Sequence, residues 1–93
     1  MGNFASRNND KIKHDDTGAI GNIIASTNTF YIDGKKVARE NDQTTPHDSD
    51  DHIGKLNGNH SFYIEGLSIQ IIGDPVDCGA KIIEGSNTFF IGG

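Results

Sequence analysis

The residues of this 93-residue chain best suited to chemistry are four histidines and its one cysteine: His14, His47, His52, His60 and Cys78. Zinc favours thiolate and imidazole, four to an ion in a tetrahedron, and one Cys with three His is an acceptable set. A lone cysteine cannot close an internal disulfide. Taken one at a time, these side chains read as solvated histidines and a small buried thiol. Their placement within a repeat is what points to a shared ion.

Three segments resemble one another: TNTFYIDG (27–34), NHSFYIEG (59–66) and SNTFFIGG (86–93). The first two lie 32 residues apart, and the same step relates Asp10, Asp42 and Asp74. Four residues past each aspartate stand His14, Pro46 and Cys78, with His47 one place beyond Pro46. The third unit reaches its aromatic run five residues sooner, so its loop is shorter. Each unit is therefore an aspartate, a candidate ligand, a variable loop and a Gly-bounded apolar hairpin. Units of this size cannot bury their apolar faces alone, but several packed together can share a core. Three of them suggest pseudo-threefold symmetry, in which matching positions converge near an axis. That brings His14, His47 and Cys78 together. A fourth ligand then comes from a loop without a counterpart, and His52, five residues after His47, lets one loop offer two imidazoles. His60 stands in the hairpin where the other copies carry Asn28 and Asn87; it reads as a hairpin surface residue and is the alternative to His52.

The FYI and FFI runs are rich in β-formers and bounded by Gly, Asn and Ser, which reads as strand. The sequences IDGKK and IEGLS place Gly just after an acid, as tight hairpin turns require. Further strands are expected at 19–25, 36–39 and 67–73, and a loop at Pro46 and 48–51. No stretch carries a sustained helical period with caps, so the expected fold class is all-β, with three hairpin repeats arranged about a pseudo-threefold axis. Phe30, Phe62 and Phe89 fall at equivalent places, as do Ile32, Ile64 and Ile91, each on the same strand face as its Phe.

Composition bounds the rest. The chain is 33% hydrophobic, without Trp, so its core is thin, and domains of this size lean on a metal, a disulfide or a partner. A net charge of −5 with scattered Lys and Arg offers phosphates no landing stripe, which argues against general nucleic-acid binding. The first ten residues lack the apolar stretch of a signal peptide, and no segment has the length of a transmembrane helix. A catalytic zinc would keep an open position and a general base, which Asp15, Asp48, Asp50 or Asp51 could supply. Neither an H-E-x-x-H helix nor the deaminase signature is present. Four protein ligands would close the site, so a structural ion and no catalytic residues are expected.

The third unit, GDPVDCGAKIIEGSNTFFIGG, resembles the PAAR-repeat proteins, whose pattern runs Gly-Asp, then Cys or His, Ile, Gly-Ser, an apolar strand and a Gly turn. Gly73-Asp74 and Gly85-Ser86 match it directly, and Lys36, Val37, Ala38 and Arg39 occupy the place of Pro-Ala-Ala-Arg. Pro is absent from both namesake positions, and Glu-Asn-Asp replaces Gly-Asp in the middle. The likeness covers essentially the whole chain. It implies a small cone of β-hairpins with a structural zinc near its vertex, held by three His and one Cys, and no catalysis; from its length the chain is expected to be one domain over residues 1–93 without an effector extension. It implies a cap on the trimeric β-helical spike (VgrG-like, or a phage central spike) of a type VI secretion system or contractile phage tail, one tip per trimer. The tip would ride at the end of the spike and touch the target outer membrane transiently. Docking would use the base of the cone, near Phe30, Ile32, Phe62, Ile64, Phe89 and Ile91. The two other readings are a small zinc-binding adaptor and, further off, a zinc hydrolase.

Overall fold

The computed structural model describes residues 3–91; the last two glycines of the third repeat lie outside it. Its regular structure is all β, in ten short strands: β1 (Asn3–Phe4), β2 (Lys11–Lys13), β3 (Ile20–Ile24), β4 (Tyr31–Ile32), β5 (Lys35–Lys36), β6 (Gln43–Thr44), β7 (Tyr63–Ile64), β8 (Leu67–Ser68), β9 (Lys81–Ile82) and β10 (Phe90–Ile91). No helix occurs among the described residues.

The repeated aspartates prove to be turn-formers. Oδ2 of Asp10, Asp42 and Asp74 accepts the backbone N–H of Arg7, Arg39 and Ile71 at 2.7, 2.8 and 2.8 Å. Each aspartate's own N–H donates back to the carbonyl of that same partner at 3.0 or 3.1 Å. The preceding residue must then turn left-handed, and it is Asn9 (φ 71°), Asn41 (71°) or Gly73 (95°), the types that tolerate this best. Just before these turns the three chain segments join in a closed circuit. Ala38 N–H donates to Ser6 O at 2.8 Å, Gln70 N–H to Ala38 O at 3.1 Å, and Ser6 N–H to Gln70 O at 2.9 Å. The bridges Ala5–Ile71, Arg7–Val37 and Arg39–Ile69 flank it.

This circuit corrects the strand expected over 67–73. Only Leu67–Ser68 is regular strand, because Ile69 pairs with Arg39 while Ile71 pairs with Ala5. A segment that changes partner every second residue makes single bridges and no ladder. The expected strand at 19–25 is present as β3, where β2 pairs it in the register Ile12–Gly21. Strands β2, β6 and β9 carried no apolar run to announce them.

Beyond the aspartates the sheet β6-β3-β2-β9 curls. The bridges Gln43–Lys55, Leu56–Val76 and Pro75–Lys81 connect its two ends, so the hydrogen-bonded path returns to its start and leaves no open edge to pair with another chain. Inside lie Ile23, Leu56 and Ile82, fully buried, each donating its N–H to the carbonyl of one repeat aspartate. With Ile12, Ala25, Ala38, Val76 and Ala80 they form one core cluster, against which Cys78 packs.

At the other end of the segments, β4–β5 and β7–β8 are two-residue hairpins whose turns, Asp33-Gly34 and Glu65-Gly66, are left-handed at both positions. Such turns match the twist of the flanking strands. The third hairpin has no such turn among the described residues; β10 is instead paired by β1, with Phe90 opposite Phe4. Phe30, Phe62 and Phe89 meet edge-to-face, with ring centroids 5.7 to 6.3 Å apart and interplanar angles of 84° to 85°. Ile32 and Ile64 are buried in a second core cluster with Ala5, Val37 and Ile69, so they underlie this face and do not form its surface. Tyr31, Tyr63 and Phe90, one on each hairpin, are the exposed aromatics beside the trio.

Two turn acids latch the hairpins. Asp33 accepts hydrogen bonds from Ser86 and Thr88 Oγ at 2.7 Å each and from Arg7 Nη1 at 2.9 Å. Glu65 accepts from Thr29 and, at 3.0 Å, from Arg39 Nη1. The Ser86 and Thr29 hydroxyls are the leading causes holding these two carboxyls below their ordinary range. A depressed carboxyl favours the folded chain above its unfolded pKa and withdraws that support as pH falls through the folded value. Both latches are therefore expected to loosen in acid, and titration from pH 7 to pH 3 should lower the melting temperature even of metal-free chain.

Candidate metal centre

Three hairpin tips converge to make the site. The first follows β2 and carries His14; its chain returns through β3, with His14 N–H donating to Ala19 O at 2.9 Å. The second carries two ligand candidates face to face, since His47 N–H donates to His52 O at 3.0 Å across the loop 48–51. The third is a tight turn in which Val76 N–H donates to Ala80 O at 2.8 Å, leaving Cys78 at its tip. The shorter third loop thus has room for one donor, and the longer second loop for two.

His14, His47, His52 and Cys78 come together so that one ligand atom from each lies within 4.8 Å of all the others. His14 Nε2 is 3.1 Å from His47 Nε2 and 3.0 Å from His52 Nε2. Cys78 Sγ is 3.5 Å from His14 Nε2 and 3.6 Å from His47 Nε2. A tetrahedron with bonds of about 2.0–2.1 Å to nitrogen and about 2.3 Å to sulfur has edges of about 3.3 Å between nitrogens and about 3.6 Å from nitrogen to sulfur. These four separations approach those edges, and the remaining two lie within 4.8 Å. His60 lies elsewhere: its Nε2 contacts both oxygens of Asp74 at 2.8 Å, and its own N–H donates to Ser68 Oγ at 2.7 Å.

The outward ring nitrogens fix how the inward ones behave. His47 Nδ1 sits 2.9 Å from Thr45 O, and a carbonyl only accepts, so Nδ1 carries the proton and Nε2 presents its lone pair. His52 Nδ1 sits 2.6 Å from Asp50 Oδ1 with the same consequence. The hydrogen bond from His52 is the leading cause that holds the Asp50 carboxyl below its ordinary range. Two lone pairs and a sulfur therefore face His14 Nε2, which could offer a proton to only one of them at a time. A cation satisfies all four donors at once. Three imidazoles and a thiolate are a borderline-soft set that suits zinc among the common divalent ions. His14 and His47 are buried, while Cys78 and His52 remain partly open.

Two glycines make the approach possible. A Cβ at Gly21 would lie 2.9 Å from His47 Nδ1, and one at Gly54 would lie 2.5 Å from Val76 Cγ1 and 2.8 Å from Cys78 Sγ. Thr44 is buried at the place where the shift of 32 residues puts Ile12 and Val76 in the other units; its hydroxyl accepts Gly54 N–H at 3.0 Å and steadies the second tip. Sequence reasoning missed Gly21, Gly54, Thr44 and Thr45, and considered Asp50 only as a general base. For Gly21 the signal was a glycine inside an expected strand, which often marks close approach, and for Thr44 a polar residue at an otherwise apolar repeat position; Gly54 and Thr45 carried no such signal. Gly54→Ala is expected to overpack the third tip at a cost of about 1–3 kcal/mol. A thermal melt checks this: an unchanged midpoint would mean that Val76 and Cys78 can move aside freely.

A family model described as PAAR motif matches residues 13–84, which span all four converging residues. The chain belongs to the PAAR-motif family. No curated protein matches it. The PAAR family is associated with the spike tips of contractile injection systems, and the all-β architecture with a His/Cys cluster fits that membership.

Proposed function

We propose that the chain is a single-domain structural tip that caps the trimeric β-helical spike of a contractile injection machine, with His14, His47, His52 and Cys78 holding one zinc ion at its vertex. The observation that carries this reading is the convergence of those four donors within a chain that matches the PAAR motif. The role is mechanical and no substrate is turned over. Three segments that repeat one hydrogen-bonding scheme form a pseudo-threefold object. Such an object lets one chain meet each of three spike subunits with similar contacts. The base is the face around Phe30, Phe62 and Phe89, where Tyr31, Tyr63 and Phe90 add exposed aromatic surface. Ile91 is half-buried beside it, and the buried Ile32 and Ile64 stiffen it from behind. A spike that ends in three open strand edges needs such a cover. The zinc would pin the vertex, where loops meet and apolar core runs out. The machine is a type VI secretion system or a contractile phage tail, and the tip leads the spike into the target outer membrane.

The test is reconstitution with the trimeric spike from the same source. The proposal expects one tip per trimer by native mass spectrometry. It also expects Phe62→Glu, which puts a charge on the most exposed ring of the aromatic trio, to weaken binding about tenfold or more while the vertex keeps its metal. A tip that ignores every trimeric spike, or a Phe62→Glu variant that binds normally, would contradict the docking surface.

A further inference from the structure

The four candidate ligands are not equally supported. His47 is buried, hydrogen-bonded through Nδ1 to the Thr45 carbonyl and packed over Gly21. His14 is buried too, and its Nδ1 lies 3.9 Å from the exposed Asp16. Cys78 sits on a tight three-residue turn packed against the core. His52 differs. It projects from the exposed loop 48–51, its side chain is 27% accessible, and its Nδ1 is held by a side chain, Asp50 Oδ1, at 2.6 Å and not by backbone. The loop itself is tethered by another residue: Asp48 accepts the Ser49 N–H at 2.8 Å and the Thr17 hydroxyl at 3.0 Å from the neighbouring tip. The two acids thus divide the work. Asp48 places the loop, and Asp50 has its carboxylate on His52.

Resting on the zinc site proposed above, we infer that Asp50 is the positioning residue that makes His52 the fourth ligand, and that without it the ion is held by three protein ligands. The carboxylate fixes the Nδ1–H tautomer, aims Nε2 inward and raises its basicity. Partners of this kind typically change metal affinity by about 10–100-fold when removed. His52 has no repeat counterpart; its ring also meets His47 and His14 edge-to-face at 4.3 and 5.0 Å between centroids, but Asp50 is the group that hydrogen-bonds its outward nitrogen.

The experiment uses the full chain, loaded with cobalt(II) as a spectroscopic probe and with zinc in competition against a chromophoric chelator. Wild type, Asp50→Ala, Asp50→Asn and Asp51→Asn are compared. Asp51 is in the same loop with positive φ, which Asn tolerates, and its carboxylate makes no hydrogen bond among the described residues; it controls for lost charge. Asp50→Ala is expected to weaken zinc about 10–100-fold. Asp50→Asn, which keeps an acceptor oxygen but no charge, should fall between. Asp51→Asn should match wild type. The cobalt form of Asp50→Ala should lose ligand-field intensity, as expected when water replaces an imidazole, yet keep the sulfur-to-cobalt charge-transfer band from Cys78. The metal-free melting temperatures should agree. If wild type binds one ion tightly and Asp50→Ala binds it equally well with an unchanged spectrum, the inference about Asp50 is overturned and the four-ligand site stands. If wild type binds no ion, both fall together.

Discussion

Cys78→Ser is expected to abolish tight zinc binding and to lower the melting temperature by more than about 15 °C. The serine hydroxyl stays protonated at neutral pH, so the anionic soft ligand among three neutral imidazoles is lost. Structural zinc contributes about 10 kcal/mol or more in apparent terms, comparable to the whole stability of a small domain. In a domain of this size each kcal/mol moves the midpoint by about 4–8 °C. The core beside the site gives little reserve, because it consists of small and medium aliphatic side chains under three loop tips. The steric change is slight, so lost packing alone would cost only a degree or few. Differential scanning calorimetry with and without added zinc separates the two accounts. A variant that melts like wild type in both conditions would reduce Cys78 to a packing residue.

The second large effect concerns chelation. Stripping the ion should destabilise the free protein severely but the spike-bound protein much less. A partner that binds only the folded chain adds stability by mass action, about 2.7 kcal/mol at a hundredfold excess over Kd and about 4.1 kcal/mol at a thousandfold. It also braces the aromatic trio and the second core cluster, which lie apart from the metal-side cluster. Limited proteolysis after chelator treatment reads this out. The free chain should be degraded within the vertex loops first and then throughout, whereas the docked chain should lose its tips and keep its base. Equal degradation in both states would mean that docking does not offset the loss of the ion.

Much of the site was legible in the sequence because it rides on a repeat. One step of 32 residues relates Asp10, Asp42 and Asp74, and the structure gives all three the same backbone N–H to hold. Once that register is seen, His14 and Cys78 must approach one another. His47 stands one place off register and is still brought to the cluster, because the second loop is a hairpin in which His47 and His52 face each other. The third base hairpin was harder to read. Its second strand is β1, at the other end of the chain, and no local pattern links Asn3–Phe4 to Phe90–Ile91. The strands β2, β6 and β9 were equally silent; Lys11-Ile12-Lys13 has one buried residue between two lysines. Their pairing is imposed by closure of the sheet, which is a tertiary fact. Gly54 was invisible for the same reason, since outside a strand a glycine signals close approach only when its neighbour in space is known.

The most direct test of the account is an anomalous-difference map collected on either side of the zinc absorption edge from crystals of the chain. The account predicts one peak, present above the edge and absent below it, about 2.3 Å from Cys78 Sγ and about 2.0–2.1 Å from Nε2 of His14, His47 and His52. No peak at that position in zinc-replete crystals, or a peak with His60 among its ligands, would contradict it.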